Sequence, residues 1–241
     1  MKRAERPFNS LPRPLVACFL MILGVQIWTA QGALSAGELA YKALPNPTAA
    51  STYRVASMGS DRLLSYWLAI RLQLHDNQSG KHMRYEQLDY PKLTHWLNQI
   101  TALNPHSEYP TMLASRVYSQ TSDKQNMRLM VDFIQASFTR DPQLHWRRMT
   151  EATILAKHKL GDLSLALLLA EQLTTQPLDV VMPQWARDMQ FILLGELNEF
   201  ETGIAIIVAM LESGSLKNAD ERRFLRVKLL EFQQKLLESQ Q

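Results

Sequence analysis

Gly161-Asp162-Leu163-Ser164-Leu165-Ala166 is echoed 37 residues later by Asn198-Glu199-Phe200-Glu201-Thr202-Gly203. Each hexapeptide reads as a tight turn between two helices. Each ends on a small residue, Ala166 or Gly203, that lets the second helix approach the first. The same spacing of 37 separates Pro105 from Pro142, Tyr109 from Trp146, and Trp96 from Phe133. A helical hairpin of this size cannot bury its own apolar face and must stack on its neighbours. The pattern predicts an all-α chain built as an α-solenoid of stacked hairpins.

Working outward from that repeat, apolar residues recur at spacings of three and four along almost the whole chain. Ser60 stands where it can cap a helix through Leu63, Leu64, Trp67, Leu68 and Leu72. Asp76 to Lys81 is polar and loop-like. Asp89 then precedes Tyr90-Pro91 and the stripe Leu93, Trp96, Leu97, Ile100, which stops at Asn104-Pro105. Tyr109 to Tyr118 and Met127 to Phe138 form the next pair, ended by Asp141-Pro142. Trp146 to Leu160 turns at Gly161 into Leu163 to Leu173. Pro183 opens Trp185 to Leu194, and Phe200 to Leu211 follows. A last amphipathic helix carries Leu225, Leu229, Phe232 and Leu236, with Asn218 and Glu221 spaced as a capping box.

The N-terminus has a different character. Lys2, Arg3, Arg6 and Arg13 precede an apolar run from Leu15 to Ala30 that includes Phe19, Ile22, Val25 and Trp28. Positive charge before such a run marks a segment that enters a membrane with its N-terminus in the cytoplasm. The run is short for a span and slightly long for a signal core. Trp28 suits the outer headgroup zone of an anchor, whereas Ala30-Gln31-Gly32 or Leu34-Ser35-Ala36 could be cut as a signal peptide. An inner-membrane anchor is the favoured expectation, and a cleaved chain soluble in the periplasm is the alternative. The organisation expected is then a leader and membrane segment over 1–36, a tether over 37–52 broken by Pro45 and Pro47, and a helical domain over 53–241.

Charge points the same way. The formal net charge is +3, and the leader's four basic residues against Glu5 already give +3. The remaining 22 basic and 22 acidic residues cancel, so nucleic acid has no electrostatic case as a partner. Cys18 is the single cysteine and opens the apolar run rather than closing it, unlike a lipoprotein cleavage box. The exported part therefore has no disulfide, no thiol metal site and no haem attachment.

Reactive chemistry finds little foothold. None of the six histidines makes the paired helical zinc pattern. His158 lies near a helix end, and His75, His82 and His106 fall in expected turns. Glu196 and Glu199 are the closest carboxylate couple, at a turn where acidic residues cap or solvate. No nucleophile elbow, phosphate loop or dinucleotide fingerprint occurs. No metal and no cofactor is expected. Trp146-Arg147-Arg148 is the most distinctive cluster, because arginine and tryptophan anchor interfaces and a guanidinium fork pairs with carboxylate or phosphate. Trp146 repeats Tyr109 in register, which suits packing between hairpins, so Arg147 and Arg148 are the candidate partner-binding residues.

The Gly161-Asp162-Leu163-x-x-Ala166 turn resembles the middle of a tetratricopeptide repeat, and Leu93 to Leu103 followed by Asn104-Pro105 resembles the end of one. The period of 37 departs from the usual 34, so the likeness is to a TPR-like fold. Val55 to Leu68, Leu88-Asp-Tyr-Pro-Lys-Leu93 and Ile154-Leu-Ala-Lys-His-Lys-Leu160 resemble membrane-anchored TPR-like proteins of proteobacteria, a group without assigned activity. The resemblance covers residues 54 to 238 and implies a bacterial envelope protein, with no catalytic residue. The expected function is a non-enzymatic scaffold or accessory subunit that binds another protein of the cell envelope. The alternative is an envelope hydrolase acting on peptidoglycan or lipid.

Overall fold

A computed structural model of the protein describes residues 13–34, 43–78, 81–82, 84–177, 179–213 and 219–239. The chain divides into two compact units, Met1–Ala43 with Ser79–Lys81, and Leu44–Gln78 with His82–Gln241.

The first unit contains helix α1 (Arg13–Leu34). Its 22 residues rise about 33 Å. Among the described residues no helix is long and apolar enough to cross a membrane, so the expected N-terminal span is not found. The apolar run from Leu15 carries Gln26, and Thr29 and Gln31 follow within the same helix. Of the residues expected in the membrane segment, Phe19, Ile22, Val25 and Trp28 are all exposed. The side chain of Leu15 lies outside the described residues.

The regular structure described in the second unit is helical, apart from two-residue strand segments. In chain order it holds α2 (Ala50–Ala56), α3 (Asp61–Asp76), α4 (Tyr90–Leu103), α5 (Tyr109–Met112), α6 (Lys124–Arg140), α7 (Pro142–Leu155), α8 (Leu163–Thr174), α9 (Gln184–Glu196), α10 (Phe200–Glu212) and α11 (Ala219–Ser239). A π turn, Leu113–Val117, prolongs α5, and another, Ala156–Leu160, prolongs α7. Sequence neighbours are neighbours in space: α3 packs on α4, and from α6 onward each helix packs on the next.

Four helix starts, those of α4, α6, α7 and α8, follow one device. Asp89, Asp123, Asp141 and Asp162 each accept the backbone N–H three residues on, at 3.1, 2.8, 3.0 and 2.8 Å. Each satisfies a donor that the first turn would otherwise leave bare, a stabilisation of about 1 kcal/mol. The Asn218 half of the expected capping box on α11 lies outside the described residues.

Hairpin turns follow a second device. Gly161 has φ 70° and Asn198 has φ 59°, both left-handed, a region glycine enters freely and asparagine more readily than other side chains. Beyond each, a reversing backbone bond closes the helix end, Asp162 N–H to Ala156 O at 3.0 Å and Glu199 N–H to Leu194 O at 2.9 Å. The two echoed hexapeptides thus share a left-handed turn residue, while the first closes over six residues and caps the next helix with Asp162 and the second closes over five without a side-chain cap.

Their small residues act differently. Ala166 is fully buried in the main core, as a close helix approach requires. Gly203 instead faces α11: a methyl group there would stand 2.6 Å from Phe232 Cδ2. Gly203 was expected to bring α10 onto α9; it makes room for the third helix.

Two apolar cores result. The larger runs from Leu68 on α3 to Leu193 on α9. The smaller gathers Phe191, Leu194, Phe200, Ile207, Leu225 and Phe232 from the last three helices. Phe232 meets Phe200 edge to face at 5.7 Å.

The segment expected as a tether enters this packing before residue 52. The Trp96 indole N–H donates to Pro45 O at 2.8 Å, Pro47 is buried, and α2 begins at Ala50.

Candidate functional site

Side-chain bonds between residues roughly one repeat apart tie the hairpins laterally. Gln73 Nε2 donates to Tyr109 Oη at 2.7 Å, Lys124 Nζ to Leu160 O at 2.9 Å, and Lys159 Nζ to Ser119 O at 3.1 Å. The same relation ties α7 and its flanks to α9 and its flanks at both ends. The Gln143 amide exchanges two bonds with the backbone of Val181, at 2.7 and 3.3 Å. The Trp146 and Trp185 rings meet edge to face at 6.1 Å. At the far end Lys157 Nζ reaches Glu196 Oε1 at 2.5 Å.

Between those ends the two helices leave an open apolar groove. It is lined by Thr153, Ile154, Lys157, His158, Met189, Ile192 and Leu193. Ile154, Ile192 and Trp185 are about half exposed, whereas Leu193 belongs to the core beneath. The face presents aliphatic side chains in the middle, an aromatic pair at one end, and Lys157 with His158 at the other. The middle of this face suits the aliphatic anchors of an amphipathic segment.

The two candidate arginines part company here. Arg147 is exposed and stacks over the Trp146 ring at 5.1 Å, at the aromatic end of the groove. Arg148 is buried. Its guanidinium binds Glu151 through Oε1 and Oε2 at 2.8 and 2.7 Å and lies 3.7 Å from Glu108. Glu151 also takes Arg116 Nη2 at 2.7 Å. Burial pushes the Glu151 carboxyl up, but hydrogen bonds from Arg116, Ser115 and Arg148 outweigh it and hold the group below the usual range. Arg148 joins α7 to α5 from within the chain. Sequence spacing could not separate the neighbours, since one residue's step around a helix is the difference between groove and packing.

The histidines also sort by burial. His106 and His158 are exposed, while His75 sits half-buried in the last turn of α3 rather than in a solvated turn. The side chain of His82 lies outside the described residues. His145 is buried, with Nδ1 3.2 Å from Thr111 Oγ1, and burial lowers its pKa. That hydroxyl–imidazole pair is the arrangement nearest to a hydrolase's. Both partners are sealed in the core, and the Thr111 hydroxyl donates to Glu108 O at 2.9 Å. It ties α5 to α7. Glu196 is engaged by Lys157, and Glu199 precedes α10 and accepts from the Thr202 hydroxyl at 3.3 Å. Among the described residues no cluster of three or more His, Cys, Asp or Glu side chains could hold a metal ion.

No protein-family model matches the chain, and no curated protein or solved structure matches it. The groove is read on its own chemistry. The helical periodicity does not single out Ile154, Met189 or Ile192 as groove residues. The signal that could have found them is the lateral offset of 38 to 39 residues that relates Gln143 to Val181 and Lys157 to Glu196.

Proposed function

We propose that this chain is a non-enzymatic interaction scaffold or accessory subunit of a bacterial envelope complex. In this reading a TPR-like α-solenoid is held at the inner membrane by the Leu15–Trp28 segment, with its helical domain in the periplasm. The α7–α9 groove takes an amphipathic segment of an envelope protein. One observation carries the reading: Ile154 and Ile192 stay half exposed over an apolar floor, between the Trp146–Trp185 pair and Lys157. Aliphatic and aromatic groups in a concave site with a few charges at its ends are the composition of a peptide-binding groove. The lateral bonds one repeat apart support the stacked-hairpin architecture. The basic leader and the exposed apolar side chains of α1 support the membrane tether.

A photo-crosslinking residue placed at 192 in the full chain tests this in envelope membranes of the native host. One discrete crosslinked species is expected, and Ile154→Arg or Arg147→Glu should remove it while the thermal melt is unchanged. Absence of any discrete species, or its persistence in both variants, would remove the groove as the binding site.

A further inference from the structure

Helix α3 is apolar on two opposite faces. Ser65, Leu68, Ala69, Leu72 and Asp76 are buried. On the other side Leu63, Trp67, Ile70 and Leu74 form a stripe at spacings of four, three and four, with 69, 53, 52 and 64% of their surfaces exposed. Tyr66 is exposed beside them, and Arg71 lies over the Trp67 ring at 5.3 Å. A helix apolar on both faces needs a second apolar surface beyond its core contact.

The charges on α3 name that surface. Its exposed ionisable residues are Arg62 and Arg71. Asp76 is buried, and Asp61 is engaged by Arg54 and by the Ser57 hydroxyl. Tryptophan, tyrosine and leucine flanked by arginine is the composition of a helix lying in the headgroup zone of an anionic bilayer. The same face of a second copy would offer these arginines no exposed, unengaged carboxylate of α3.

Chain connectivity agrees. Leu44 and Pro45, where the helical unit begins, line a pocket with Arg71, Leu72 and His75 of α3. Residues 35–43, between α1 and that point, can span at most about 35 Å.

We propose that the exposed face of α3 lies on the surface of the anionic bilayer that holds α1, seating the helical unit at the membrane rather than leaving it on a free leash. The inference rests on the reading of α1 as the tether. It is tested with the full chain in vesicles of phosphatidylethanolamine and phosphatidylglycerol carrying a lipid-borne quencher. In a Cys18→Ser background, an environment-sensitive fluorophore is attached at Val25→Cys, Ile70→Cys or Val227→Cys.

The labels at 25 and 70 should shift to the blue and lose most of their emission to the quencher, and the label at 227 should not. Arg62→Glu with Arg71→Glu should restore emission at 70 and leave 25 quenched. Quenching at 25 but not at 70 overturns the proposal and leaves the tether intact. Quenching at neither overturns both. A blue shift at 70 without quenching, with disulfide dimers of the unlabelled Ile70→Cys chain, assigns the face to a second copy and also overturns it.

Discussion

One step around a helix separates Arg147, exposed on the groove, from Arg148, buried among Glu108 and Glu151. The same sensitivity governs Gly203. A methyl group there enters the space of the Phe232 ring, which is itself held by Phe200 and Leu225. Overpacking of this kind costs about 1–3 kcal/mol. At Gly195 the nearest ring atom is 3.2 Å away, and the gain of alanine over glycine in a helix, about 1 kcal/mol, offsets most of the strain. Gly203→Ala should therefore lower the melting temperature clearly and Gly195→Ala little or not at all. Phe232→Leu should rescue Gly203→Ala in a double-mutant comparison. Equal effects of the two alanines would mean that the ring moves aside freely.

At the scale of the element, one hairpin combines an aspartate-capped start, a left-handed turn residue and a small side chain under the turn. In the α7–α8 hairpin these are Asp141, Gly161 and Ala166. Ala166 has no exposed surface, so Ala166→Arg must bury a guanidinium or push α8 away. A loss of 3 kcal/mol or more is expected from overpacking and charge burial together. Because α8 also packs on α9, the damage should reach the groove. Urea unfolding followed by circular dichroism would measure it, and an unchanged midpoint would mean the turn tolerates a large side chain.

For the whole molecule, stability should depend on pH through two buried groups acting in opposite senses. Burial raises the Asp188 carboxyl to about 6, with Gln184 opposing and the Glu221 charge adding. A raised carboxyl binds its proton more tightly folded than unfolded, so this group makes the fold more stable as pH falls from about 6 toward 4. His145 is lowered by burial, so its contribution is present above its ordinary range near 6.5 and is lost as pH falls below it. Asp188→Asn isolates the first term. The variant should exceed the native chain in stability at pH 8, and the difference should shrink toward pH 4. A difference independent of pH would show that Asp188 stays charged in the fold.

Helical period, turn residues and caps are local, and the sequence alone determines them. The spacing of 37, the turns at Gly161 and Asn198, and the aspartates at 89, 141 and 162 are legible because backbone conformation and one-face burial are written within a few residues. The basic leader and its apolar run are legible as composition for the same reason. Which side of a helix meets which neighbour is not local. Arg148 turned inward to Glu151, Gly203 opened for Phe232, His75 was drawn into α3, and Trp146 found Trp185 only when hairpins packed one repeat apart. Those choices rest on the lateral offset between helices. A shift of one residue there rotates a side chain by a quarter turn or more, and only the tertiary structure sets it.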